Sequence, residues 1–432
     1  MKHPIDHRIL AAFLSSGMLI ALSGCERALE VVDQLEGSGP GGEGTGSPGQ
    51  PVSPPVQNAS CACASSASLM ALSCGGGEVP LLDNDIVQTT ANGAIVVFNR
   101  CNEETFSCDV MYWDGGNPTP IAPGYLIGID ASGQRLLVSG ATTSLVEVGG
   151  STTELPLYTL QGRGLLNAAG DRVFGGVFEG LEQGTRLVRA NAAGELEVLG
   201  DLEGSIATSS GNPAGTALVG WSLVDDGAAD AEISYRAFRW GADGLRLDFP
   251  GVPAGVTIWP ESVSADGSII AGRSLPGQAH FVWSEAGGYT ELASASWRSE
   301  TSLSADGAVA LGSLDPEGEN DSAAFRWTAE TGAVELTPGR ASLALDLSSD
   351  GDVAVAYSWE EAQFDGVPPE DTFVWDVADG TRTLDQVLEQ RGVDTSGWEF
   401  GTPRALSADG RVLLGRASCG GVPTLYRVVL SD

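Results

Sequence analysis

From about residue 86 onward, apolar and polar positions alternate in short runs, and each run breaks at a Gly or at an Asp-Gly pair. Alternation with period two is the pattern of a strand with one buried face. The runs recur as one sentence: "SVSADGSIIAGRS" at Ser262–Ser274, "SLSADGAVALGSL" at Ser302–Leu314, "LSSDGDVAVAYS" at Leu347–Ser358 and "LSADGRVLLGRA" at Leu406–Ala417. Asp-Gly between two apolar runs predicts a hairpin, on the reading that both turn positions take φ > 0. Eight turn glycines follow from this: Gly93, Gly133, Gly170, Gly215, Gly267, Gly307, Gly351 and Gly410. After each hairpin come a variable loop, an aromatic strand and a last short strand. The aromatic strand reads "AFRW" at Ala237–Trp240 and Ala324–Trp327, "HFVW" at His280–Trp283, "TFVW" at Thr372–Trp375 and "VMYW" at Val110–Trp113. Phe and Trp two apart share a face, which predicts packing between neighbouring units.

The turn glycines recur about every 45 residues, the length of a four-stranded propeller blade. The expected fold is all-β: a β-propeller of about eight four-stranded blades, or seven if one of the degenerate first four copies is an insertion. The last copy, ending "PTLYRVVLSD", has room for only three strands. An N-terminal strand is therefore expected to join the last blade and remove its open edge, and "GEVPLLDNDIV" at Gly77–Val87 is the candidate. "LDQVLEQRG" from Leu384 predicts one short helix, with Leu384, Val387 and Leu388 on one face and Gly392 as its stop.

The pattern "VSADGSIIAG", then x-F-x-W, then G-x-x-x-L, resembles the extracellular HAF-repeat family. The sharpest match is "TLDQVLEQRGVDTSGWEFGTPRALSADGRVLLG" from Thr383. The likeness runs from about Gly215 to the end. It implies a secreted or envelope β-repeat protein and supplies no activity.

The first residues carry a different message. "MKHPIDHR" is a basic head, "ILAAFLSSGMLIAL" an apolar run too short for a comfortable membrane span, and "SGC" a small-residue exit. Leu22-Ser23-Gly24-Cys25 resembles the lipobox of bacterial lipoproteins. That likeness implies cleavage before Cys25, a lipid on Cys25 and attachment to a membrane. Glu26, rather than Asp, after the cysteine implies the outer membrane or cell surface in that family. Residues 37–60, rich in Gly, Pro and Ser, form a flexible tether. The expected organisation is a leader at 1–24, the lipidated Cys25 with its tether to residue 60, and a repeat domain over 61–432.

Charge and composition then remove function classes. The net charge is −35, from 57 acidic and 22 basic side chains, which argues against nucleic acid as a partner. Lysine is absent after Lys2, so a Schiff-base or P-loop lysine is excluded. His280 is the only histidine after the leader, which excludes a multi-histidine metal site. Its slot holds Ala or Thr in the other Phe-bearing copies, so it reads as a variant core residue and not as a catalytic base.

Apart from Cys25, six cysteines remain, an even number that suggests disulfides in an exported chain. Cys101 and Cys108 flank one short loop and are expected to pair. Cys74 and Cys419 are expected to clamp the ring, with Cys61 and Cys63 either paired together or competing for Cys419.

The loops between second and third strands are acidic. "DPEGEND" supplies Asp315, Glu317, Glu319 and Asp321 as a candidate calcium site, the one cofactor the sequence admits. Trp259, Trp297 and Trp398, each several residues before a turn, are candidate ligand-binding residues for sugar rings. The reading is a monomeric, non-catalytic binding or structural module of the cell envelope, with an envelope polysaccharide or protein as partner. The alternative is a carboxylate-driven glycan-active enzyme, hydrolase or lyase, which requires two acids deep in one pocket.

Overall fold

In the computed structural model, the described residues are 66, 68–74, 86–102, 107–140, 142–157, 165–178, 185–202, 205–224, 234–296, 300–315, 322–358 and 371–431. All lie in the unit Ala59–Asp432. They form eight four-stranded antiparallel sheets. The first strand, β1 (Leu69–Cys74), stands apart from the sheets that follow it in sequence. Blade 1 is β2 (Val87–Thr89), β3 (Val96–Asn102), β4 (Ser107–Trp113) and β5 (Thr119–Pro123). Blade 2 is β6 (Tyr125–Ile129), β7 (Arg135–Ser139), β8 (Thr143–Glu147) and β9 (Thr152–Leu155). Blade 3 is β10 (Leu165–Leu166), β11 (Arg172–Phe178), β12 (Thr185–Asn191) and β13 (Leu196–Leu202). Blade 4 is β14 (Ser205–Gly211), β15 (Leu218–Val224), β16 (Ser234–Gly241) and β17 (Gly244–Arg246).

Blade 5 is β18 (Thr257–Val263), β19 (Ile269–Leu275), β20 (Ala279–Ser284) and β21 (Gly288–Ser294). Blade 6 is β22 (Ser302–Leu303), β23 (Val309–Leu314), β24 (Ala323–Thr328) and β25 (Gly332–Glu335). Blade 7 is β26 (Ser342–Leu347), β27 (Val353–Ser358), β28 (Thr372–Asp376) and β29 (Gly380–Thr383). Blade 8 is β30 (Trp398–Leu406), β31 (Val412–Cys419) and β32 (Val422–Val429), completed by β1. The chain is an eight-bladed β-propeller whose ring is closed by its N-terminal strand.

The closing strand lies earlier than expected. β1, not the Gly77–Val87 segment, pairs with β32, from Leu69 opposite Val428 to Cys74 opposite Thr424. Val87 instead begins blade 1. The closing segment "LMALSC" has the apolar alternation a strand needs, but it follows the cysteine-rich stretch and carries no turn signal.

All eight assigned glycines have positive φ, between 64° and 78°. The aspartates before them do not, so the turns are not two-residue hairpins with both positions left-handed. In blade 5 the Gly267 N–H donates to Ser264 O at 2.9 Å, as in a type I turn that ends on a left-handed glycine. The buried Ser264 Oγ donates to Asp266 Oδ1 at 2.7 Å and accepts the Ile269 N–H at 3.0 Å. Ser304–Asp306, Ser348–Asp350 and Ser407–Asp409 repeat this arrangement. In blades 2 to 4, Asp130, Asn167 and Asn212 take the serine's place, and their side-chain oxygens accept the same pair of backbone N–H groups.

The turns also link to one another around the axis. The N–H of Ala131 donates to Ala168 O, Ala168 to Pro213 O, Ala265 to Ala305 O, Ala305 to Ser349 O, Ser349 to Ala408 O and Asp409 to Ala91 O, all within 2.7–2.9 Å. Pro213 has no N–H to pass on. There the Asn212 Nδ2 side chain donates to Ala265 O at 3.0 Å and carries the link from blade 4 to blade 5.

In blades 4 to 6 a glycine within the second strand lies opposite the Phe of the third: Gly220–Phe238, Gly272–Phe281 and Gly312–Phe325. A Cβ on Gly220 would sit 2.6 Å from the Phe238 ring and 2.2 Å from Ala207 O. Phe238, Phe281 and Phe325 are fully buried. As expected, Phe and Trp pack between blades: Phe174 of blade 3 lies 5.9 Å from Trp240 of blade 4. An arginine of the third strand, between Phe and Trp in blades 4 and 6 and between Tyr426 and Val428 in blade 8, reaches the tryptophan of the next blade. Arg239 stands 4.7 Å over Trp283, Arg326 4.7 Å over Trp375, and Arg427 5.4 Å over Trp113. Arg326 and Arg427 also donate to the next blade's turn-glycine carbonyls, Gly351 O and Gly93 O.

The helix α1 (Leu384–Gln390) forms where expected, with Thr383 and Gln386 as a capping box, Leu384, Val387 and Leu388 buried, and Gly392 at φ 68° after it. Cys101 and Cys108 form a cross-strand disulfide between β3 and β4. Cys419, buried on β31, is also disulfide-bonded, and its partner lies outside the described side chains.

Candidate functional site

The two faces of the ring differ. The first-to-second turns are short, and the hydrogen bonds described above link them from blade 2 through blade 8 to blade 1. The connections between second and third strands, and between blades, leave from the opposite ends of the strands. Loops standing on a rigid scaffold are the usual place for binding.

On that face, at blades 4 and 5, three aromatic residues meet. Trp221 lies on β15, Tyr235 near the start of β16, and Trp259 near the start of β18. Trp221 and Trp259 are nearly parallel at 6.3 Å, and Tyr235 stands edge-on to both, at 5.5 Å and 4.9 Å. All three are half-buried. Arg273, opposite Trp259 in the β18–β19 pairing, holds its guanidinium 5.8 Å over the Trp259 ring.

Beneath them is Glu261, the extra residue of a β-bulge between Pro260 and Ser262. First strands of blades 2, 4, 7 and 8 carry the same bulge, so this is a repeat feature that blade 5 fills with an acid. Glu261 Oε1 accepts from Arg273 at 2.6 Å, and Oε2 accepts the Thr301 N–H at 2.8 Å. Burial pushes its carboxyl up, and the Arg273 charge pulls against that shift.

Thr301 leads on to His280, which is fully buried. Its Nε2 lies 2.9 Å from Ser313 O, so Nε2 carries the proton, and Nδ1 accepts from Thr301 Oγ1 at 2.8 Å. Burial holds this imidazole at about 4, so it is neutral. Seven apolar clusters bridge the other neighbouring blades, whereas the blade 5–6 junction is held by this chain and by Ser296, Ser313 and Ser322.

The other candidates fall elsewhere. Trp398 is 8% exposed and stacks on Phe400 at 5.8 Å in the core shared by blades 7 and 8. Trp297 lies outside the described residues, as do Cys25, Glu317, Glu319 and Asp321; Asp315 is half-buried just past the end of β23. Asp346 is another buried acid, raised to about 6 by burial, with the Leu347 and Leu406 N–H groups donating to its two oxygens. A shallow polar recess of about 480 Å³ beside α1 is lined by Asp379, Arg382, Gln386, Glu389 and Gln390. Its one cation, Arg382, is bonded to Asp376, Asp379 and Gln390.

No protein-family model matches the chain, and no curated protein does. Solved structures similar to it include an oligogalacturonate lyase in complex with manganese, at 15% identity and a TM-score of 0.46, covering 83% of this chain and 99% of that one. TolB from Acinetobacter baumannii matches at 13% identity and a TM-score of 0.35, covering 70% of this chain and 63% of that one. The β-propeller domain of the Trilobed protease from Pyrococcus furiosus matches at 11% and 0.40, covering 69% of this chain and 83% of that one. These likenesses concern chain architecture and assign no activity.

Proposed function

We propose that this chain is an exported, lipid-anchored propeller of the cell envelope that acts as a non-catalytic binding module. The HAF-like repeats and the lipobox-like Leu22–Cys25 support the location, and residues 37–60 suit a tether. The observation that carries the binding reading is the aromatic patch on the loop face, set on strands whose opposite turns are locked together. The catalytic alternative requires two acids free to exchange protons. Among the described residues the buried acids Asp130, Glu261 and Asp346 belong to blades 2, 5 and 7, and every one of their carboxylate oxygens is already bonded within the protein. Glu261 and Asp346 read as clips between blades.

The anchor is tested by labelling cells with an alkyne-bearing fatty acid. The full-length protein takes up the label and sediments with membranes; Cys25→Ser loses the label and appears in the soluble fraction. Label retained in Cys25→Ser overturns the anchor. The binding role is tested by melting the full-length protein with fractionated envelope polysaccharides and envelope proteins, since a ligand selective for the folded state raises the melting temperature.

A further inference from the structure

Building on the binding reading, we infer that the patch of Trp221, Tyr235 and Trp259 recognises an uncharged glycan chain. Three half-buried rings within 6.3 Å of one another present apolar surface, at the face where the variable loops emerge, without merging into the core. Aromatic surface edged by hydrogen-bonding groups fits the C–H faces and hydroxyls of a sugar.

Charge decides between ligand classes. A cationic ligand would compete with Arg273, whose guanidinium already stands over Trp259. An anionic ligand would meet Glu300 beside the site, on a chain of net charge −35. Arg273 offers it little compensation, because it is paired with Glu261 at 2.6 Å. A neutral, hydroxyl-rich polymer pays neither cost.

The test is affinity electrophoresis of the full-length protein in gels containing β-glucan, xylan or mannan as neutral probes, polygalacturonate as the acidic probe and chitosan as the cationic one. At least one neutral polymer retards the wild-type protein. Trp221→Ala and Tyr235→Ala each weaken that retardation about tenfold, whereas Tyr125→Ala, an exposed aromatic on blade 2, leaves it unchanged. Melting curves confirm folding, and Tyr235→Ala serves if Trp221→Ala fails to fold.

The inference is overturned if no neutral polymer retards the protein, or if Tyr235→Ala binds within about twofold of wild type. Retardation by polygalacturonate or chitosan alone sinks the ligand class but leaves the binding module standing. No shift with any polymer or any envelope fraction sinks both.

Discussion

Two single residues set opposite pH dependences. His280 is neutral in the fold, its imidazole lowered from 6.5 to about 4 by burial. The stability this gives is complete above pH 6.5 and is lost as pH falls from there towards 4, by on the order of 3 kcal/mol in all. Asp346 acts the other way. Its carboxyl is raised from 3.8 to about 6, so the ionised form is penalised in the fold and stability is gained as pH falls from 6 towards 3.8. Denaturant unfolding between pH 7 and 4 separates them: His280→Thr removes an acid-side loss of up to one proton's slope, and Asp346→Asn removes an acid-side gain. If His280→Thr keeps the wild-type slope, the histidine does not stay neutral in the fold. His280 was legible as a core residue because its slot is filled by small residues elsewhere. Its partners were not legible, since Thr301 and Ser313 are distant in sequence and only the ring geometry brings them to it.

At the scale of the strand, the second-strand glycine that faces the third-strand aromatic in blades 4, 5, 6 and 8 is a steric requirement. A Cβ on Gly272 would meet Trp259 O at 1.9 Å, too close for any side-chain adjustment. Gly272→Ala is therefore expected to cost about 3 kcal/mol in urea unfolding, near the upper end for overpacking. Blade 7 carries Ala356 opposite Phe373, where a Cβ is already accommodated, so Ala356→Gly is the milder change. Arg326 bridges to the next blade by stacking on Trp375 and donating to Gly351 O. A lysine cannot hold both contacts with one ammonium, so Arg326→Lys is expected to lower stability by about 1 kcal/mol in the same assay. Turns and aromatic strands were legible because each rests on one residue type repeated at fixed spacing. The early copies were faint because Asp130, Asn167 and Asn212 do the work of the later serines with a different side chain. The bulge that seats Glu261, and the meeting of Trp221 and Tyr235 with Trp259, leave no periodic trace. Their one signal is departure from the repeat: Trp221 stands where the other copies place Arg273, Ser313, Tyr357 or Arg416.

At the scale of the whole molecule, closure rests on β1. Deleting residues 69–74 removes the fourth strand of blade 8 and uncovers β32 as an open edge. The shortened protein is expected to melt earlier and to self-associate on size-exclusion chromatography, whereas a chain beginning at Ala59 keeps the full-length melting temperature. An equal melt for both deletions would show that the ring does not depend on this seam. The count of eight and the need for a borrowed strand were legible from the turn spacing and the short last copy. Which segment lends the strand was not, because six residues of ordinary alternation look alike wherever they stand.

The seam joins Leu69 to Val428, the first of the described strands to the last. During synthesis β1 emerges from the ribosome without its partner and waits while seven blades are laid down. A chain cut short anywhere before β32 leaves β1 unpaired, with its backbone groups open to the quality-control proteases and chaperones that recognise such segments. Joining the two ends in one sheet thus lets the fold register that it has been made in full.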